Sequence, residues 1–87
     1  MTKYYNNGAV VMSIAGKDKN EIFIILNVDG NYAYLINGKS RPLENPKKKN
    51  IKHLHLLCKS ENTGLDMSNL TNAHTIKYLK DYIKSKE

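Results

Sequence analysis

A single cysteine, Cys58, stands in this 87-residue chain. No internal disulfide can form, and a lone thiol suits a reducing cytosol. Long apolar runs are missing: no stretch approaches the roughly 18 residues of a membrane-spanning helix. Residues Met1 to Asn7 lack the apolar core of a signal peptide, so a cytoplasmic chain with no membrane segment is expected. There is no internal repeat. Catalytic signatures are missing as well: no Ser/His/Asp set in a motif, no paired acids, no Gly-x-x-x-x-Gly-Lys-Ser/Thr phosphate loop. Gly16-Lys17-Asp18-Lys19 has one glycine and no helix after it, which makes a poor nucleotide cradle. Neither an enzyme nor a cofactor is expected. Arginine is reduced to one residue, Arg41, among 14 cations.

What is present is apolar enough to fold. Apolar residues make up 40% of the chain, which excludes a disordered polybasic tail, and the length suits one small domain. The net charge of +6 is concentrated. Between Lys39 and Lys59 lie Lys39, Arg41, Lys47, Lys48, Lys49, Lys52 and Lys59 against one acid, Glu44, and the flanking segments each balance to zero. A localised positive field on a neutral frame points to a phosphate-rich partner. The competing reading is a solvated charged loop that only aids solubility. Against it, the run leads into apolar sequence rather than dangling from a terminus.

The strands are marked by composition. Gly8 to Ala15 is rich in β-branched residues, and Glu21 to Val28 is the strongest strand in the sequence. Asp29-Gly30-Asn31 is a hairpin turn leading into Tyr32 to Ile36. Asn37-Gly38 signals a second hairpin into a short strand, Lys39-Ser40-Arg41. Pro46 opens the basic run as an extended loop or strand entrance, and Ile51 to Leu57 is the last strand. Short strands joined by tight turns predict a small antiparallel barrel. The first two strands are apolar on both faces, so something must cover part of the outer face.

The C-terminal segment is the expected cover. Residues 58–69 read as a linker between a domain at 1–57 and a helical segment at 70–87. Leu70, Ala73, Ile76, Leu79 and Ile83 recur at helical spacing, which predicts an amphipathic helix from about Ser68 to Lys84. Ser68 or Asn69 is its expected N-cap. Either this helix packs on its own barrel, or its apolar face docks a protein partner.

His53 and His55, two apart, share a face if they lie on a strand, with Leu54 and Leu56 turned to the core. With Cys58 and His74 they do not match the paired spacings of structural zinc, and no metal is expected. Beside a lysine cluster they suit hydrogen bonding to phosphate or stacking on a base.

These residues carry a resemblance. Gly8-x-Val10-Val11-x-Ser13-x-Ala15-Gly16-x-Asp18-Lys19, then Phe23 and Val28, then Asn37-Gly38-x-x-Arg41-Pro42, then Pro46-Lys47-Lys48-Lys49-x-x-Lys52-His53-Leu54 resemble a KOW-motif RNA-binding protein. The similarity covers residues 8–57 and is closest to the small bacterial KOW proteins, relatives of a KOW-containing large-subunit ribosomal protein of archaea and eukaryotes. It implies an SH3-like barrel, with a C-terminal helix outside the match, that binds RNA, ribosomal RNA in particular. Gly16 is then the glycine central to the motif. Asn20 stands where the pattern usually has glycine, and asparagine tolerates the left-handed conformation such a turn needs.

The functional expectation is an RNA-binding module associated with the ribosome. Lys47, Lys48, Lys49 and Lys52 contact phosphates, Lys17, Lys19 and Lys39 extend the surface, Arg41 forks onto a phosphate or stacks on a base, and His53 and His55 neighbour them. The alternative is a protein-interaction module of a translation or transcription factor. DNA ranks lower, since no basic recognition helix is visible.

Overall fold

The computed structural model of the protein describes residues 3–86. Met1, Thr2 and Glu87, which belong to the expected N-terminal domain and C-terminal helix segment, lie outside the described residues. Five strands come first: β1 (Val10–Ser13), β2 (Ile22–Asp29), β3 (Tyr32–Ile36), β4 (Lys47–Asn50) and β5 (Leu54–Cys58), with a 3-10 turn at Ile51–His53 between the last two. A one-turn helix α1 (Ser60–Thr63), a second 3-10 turn (Met67–Asn69) and helix α2 (Asn72–Ser85) follow. The strands form one antiparallel sheet in the order β4-β3-β2-β1-β5, so β4 and β5 are its edges.

Both faces of the sheet are apolar, as the strand composition requires. On the inner face Val11, Phe23, Ile25, Ala33 and Leu35 pack with Ala9, Ile51 and Leu54. On the outer face Val10, Ile24 and Ile36 pack against Leu79 of α2. A buried side chain of this size is worth about 1.5–3 kcal/mol, so the outer layer is a second core rather than a decoration. The expected covering role of the C-terminal helix is met within the chain. Register irregularities between Val10 and Val11 and between Ile25 and Asn27 bend the sheet. The second lets Val28 rejoin the inner cluster of Phe23 and Ile25 although its spacing from Ile25 is odd.

The turns follow their chemistry. Gly30 supplies positive φ in the β2–β3 hairpin, and Asn20 takes φ 76° in the β1–β2 turn. The expected strand at Lys39-Ser40-Arg41 is a turn instead. Asn37 Oδ1 accepts from the Lys39 and Arg41 amides, and the Asn37 and Gly38 amides donate to the Arg41 carbonyl. This side-chain-stapled turn uses the backbone groups that a ladder needs. The strand forms eight residues later, in the lysine run itself: Lys47, Lys48, Lys49 and Asn50 pair with Leu35, Tyr34, Ala33 and Tyr32. Lysine on an edge strand discourages pairing with another chain.

The last strand also shifts. Ile51–His53 is a 3-10 turn with Asn50 as its cap, so His53 is not on a strand, and β5 runs on through Cys58. The expected linker carries α1 and the second 3-10 turn. Helix α2 starts at Asn72, with Thr71 rather than Ser68 or Asn69 as N-cap; the Thr71 hydroxyl accepts from the His74 amide. Its buried face is rotated from the expected stripe. Thr75 and Leu79 are buried and Tyr78 and Tyr82 pack beside them, whereas Ala73 and Ile83 are exposed. Two tyrosines bring more area to the interface than Ala73 and Ile83 would, and Thr75 is buried without penalty because its hydroxyl donates to the Thr71 carbonyl.

Helix α2 is also held at its start. The Leu43 amide donates to Asn72 Oδ1, and Asn72 Nδ2 donates to Glu44, which holds that carboxyl below its ordinary pKa. Gly38 lies against the same turn of helix. A Cβ there would sit 2.6 Å from the Asn72 carbonyl oxygen and 2.7 Å from Ile76.

Candidate nucleic-acid interface

Strand β4 sorts the lysine run by its alternation. Lys47 and Lys49 pair with Leu35 and Ala33, both in the inner core, and share their face; Lys48 lies on the other. Two ammonium groups at the rim of a core need an acid, and Asp18 of the β1–β2 turn supplies it. Lys49 Nζ donates to Asp18 Oδ1 at 2.7 Å and to the Ala15 carbonyl at 2.8 Å. The Ser13 hydroxyl donates to the same Oδ1 at 2.7 Å. Among the described residues Oδ2 has no well-aligned hydrogen bond, but the Lys47 ammonium faces it at 3.4 Å.

Asp18 is buried, and burial alone would raise its pKa. Hydrogen bonds from Lys49 and Ser13, the Lys49 charge and Lys47 outweigh that, and bring it down from 3.8 to about 2. The carboxylate is therefore ionised throughout the physiological range.

This arrangement divides the expected phosphate ligands. Lys49, with only 11% of its side chain exposed, is held inside the cluster, and Lys47 keeps 29% exposed while leaning on Asp18. Lys17 and Lys19 stand exposed on the turn that carries Asp18, and Lys39 is exposed on the β3–β4 connection. Arg41 is half-buried on that connection. Lys17, Arg41 and Lys47, from three separate segments, line one hollow of about 240 Å3 together with Ser40, Glu21 and Phe23. Two acids also line it, the exposed Glu21 and the buried Asp18.

The remaining expected residues lie elsewhere. Lys48 sits over the Tyr32 ring, 4.6 Å from its centroid. Lys52 is exposed in the 3-10 turn, beside the hairpin turn to which the Ile51 amide is bonded through the Asn31 carbonyl. His55 is exposed on β5, opposite Met12, and His53 is half-buried in the turn before it. The two histidines do not share a strand face, while Leu54 and Leu56 do turn toward the inner core. Among the described residues no three His, Cys, Asp or Glu side chains are grouped to hold a metal ion, and no helix is long and apolar enough to cross a membrane.

The sequence reading missed Asp18 and Tyr32. In the sequence Asp18 stands as part of the KOW-like pattern and as one acid of a balanced N-terminal segment, with no partner assigned to it. The available signal was the alternation of the lysine run: read as a strand, it turns two of its lysines inward. No protein-family model matches this sequence, and no curated protein matches it.

Proposed function

We propose that the protein is an RNA-binding module, an SH3-like barrel that engages the phosphates of ribosomal or other structured RNA through its basic surface. On this reading the curved sheet wraps its inner core as a barrel, and the β1–β2 turn and the β3–β4 connection form the rim that meets RNA. One observation carries the reading: Lys17, Arg41 and Lys47 converge from three segments on a single hollow. Asp18, which also lines that hollow, is already paired with Lys47 and Lys49, so the exposed Lys17, Lys19 and Lys39 are not its partners. Arg41 offers a planar fork suited to a phosphate.

The test is a titration with structured RNA at several salt concentrations. Contacts to about four phosphates give a log–log slope near −3 if the contacted strand is single. Arg41→Ala and Lys17→Ala weaken binding to all RNAs alike, since phosphate contacts position rather than specify. Affinity that stays flat from low to high salt overturns the reading. Crosslinking in cells followed by sequencing of the attached RNA then identifies the partner.

A second reading, protein docking, has its support in the exposed Ile83 and in a groove of about 460 Å3 lined by Ile22, Ile76, Leu79 and Ile83 with Lys39 and Lys80 at its border. Burial of Leu79 and Tyr82 on the sheet leaves that face smaller than the sequence suggests.

A further inference from the structure

The outer face of β3 is divided by helix α2. Ile36 lies under the helix, Tyr34 is half-buried, and Tyr32 at the far end is 41% exposed. Other tyrosines have structural partners: the Tyr5 hydroxyl bridges the Leu54 carbonyl and the Leu56 amide, and the Tyr82 hydroxyl reaches the Leu57 carbonyl. Among the described residues the Tyr32 hydroxyl makes no hydrogen bond, its ring belongs to neither apolar cluster, and the Lys48 ammonium lies over it.

We infer that Tyr32, with Tyr34 beside it, is a stacking site for an unpaired nucleobase, a site distinct from the hollow at Arg41; the inference rests on the RNA-binding reading. An open aromatic face on a sheet, flanked by a cation, accepts any base by its π surface. Lys48 is on a flexible stem, so it can leave the ring for the phosphate of the stacked nucleotide while the base takes its place. The surrounding groups orient the strand. Lys48 on β4 and Lys52 just beyond it put positive charge on one side of Tyr32. On the other side β2 pairs Asp29 with Tyr32 and Asn27 with Tyr34. The Asp29 carboxylate repels phosphate, and Asn27 is exposed with both a donor and an acceptor for a base edge. The backbone therefore runs along the Lys48–Lys52 side, with bases pointing toward β2. The ligand class is single-stranded RNA or a loop with an extruded base, not a continuous duplex, whose bases are already stacked.

The experiment compares a short single-stranded RNA with a perfect duplex of the same length, using the full-length protein and its Tyr32→Phe and Tyr32→Ala variants. Unfolding midpoints are measured for both variants, and affinities are compared per folded molecule. Tyr32→Ala lowers affinity for the single strand about tenfold, leaves the salt slope unchanged, and leaves duplex binding unchanged; Tyr32→Phe binds as wild type does. Equal single-strand affinity of Tyr32→Ala and wild type overturns the stacking site and leaves the RNA-binding reading standing. Absence of binding by the wild-type protein to either RNA overturns that reading, and this site with it.

Discussion

The Lys49 ammonium lies 2.7 Å from Asp18, a residue 31 positions earlier in the chain, and so ties the edge strand of the sheet to the β1–β2 turn. With both side chains about nine-tenths buried, the pair behaves as part of the core rather than as a surface ion pair. Replacing Asp18 by Asn strands a buried ammonium. Asp18→Asn is expected to cost about 3 kcal/mol, read as a lower urea midpoint at unchanged m-value. A loss under half of that means that water reaches the site in solution.

The same carboxylate sets a pH dependence. Its folded pKa of about 2 lies below the ordinary 3.8, so the unfolded chain binds a proton more readily than the folded one. The stabilisation is complete above the unfolded value and is lost as pH falls from about 4 toward 2. A shift of this size is worth about 2 kcal/mol. Urea midpoints measured between pH 5 and pH 2 should fall accordingly, and Asp18→Asn should flatten that part of the profile. Glu44 and Asp66, both exposed with lowered pKa, act in the same direction and account for a residual slope in the variant.

Gly38 tests the seating of α2. It holds φ 83° against the first turn of the helix, where a Cβ would press on the Asn72 carbonyl and on Ile76. Gly38→Ala combines the cost of a left-handed alanine with a clash, together about 2–3 kcal/mol. Amide exchange should speed up in α2 more than in β2 and β3. Uniform acceleration would mean that the helix and the sheet open as one unit.

Much of this architecture could be read in the chain because its signals are local. The strands around Ile24 and Leu35, the Asp29-Gly30 hairpin and the left-handed Asn20 each follow from residue type and spacing. The two-sided apolar pattern of β1 and β2 even called for the helix that covers them. What stayed hidden depends on partners distant in sequence. Lys47 and Lys49 look like free cations until Asp18 is brought to them, and Lys39-Ser40-Arg41 looks like a strand until the Asn37 side chain closes it into a turn. The helix stripe misled for a related reason: Ala73 and Ile83 are apolar, but the sheet selects the wider face bearing Tyr78 and Tyr82.

Neighbouring lysines on β4 give the sharpest separation of structure from function. Lys49 is consumed by Asp18 and the Ala15 carbonyl, whereas the ammonium of Lys48, one residue away and on the opposite face, lies over the ring of an exposed tyrosine. Truncating each side chain should therefore have opposite effects. Lys49→Met lowers the unfolding midpoint, because it leaves the buried carboxylate to Ser13 and Lys47, yet RNA affinity per folded molecule stays within about twofold, since an internally neutralised ammonium releases few counterions from a phosphate. Lys48→Ala leaves the midpoint unchanged within about 0.5 kcal/mol, weakens RNA binding, and makes the salt slope shallower by about 0.7, the contribution of one single-strand phosphate. If Lys49→Met instead removes as much slope as Lys48→Ala, the ammonium leaves Asp18 for RNA in the complex, and the buried cluster is itself part of the interface.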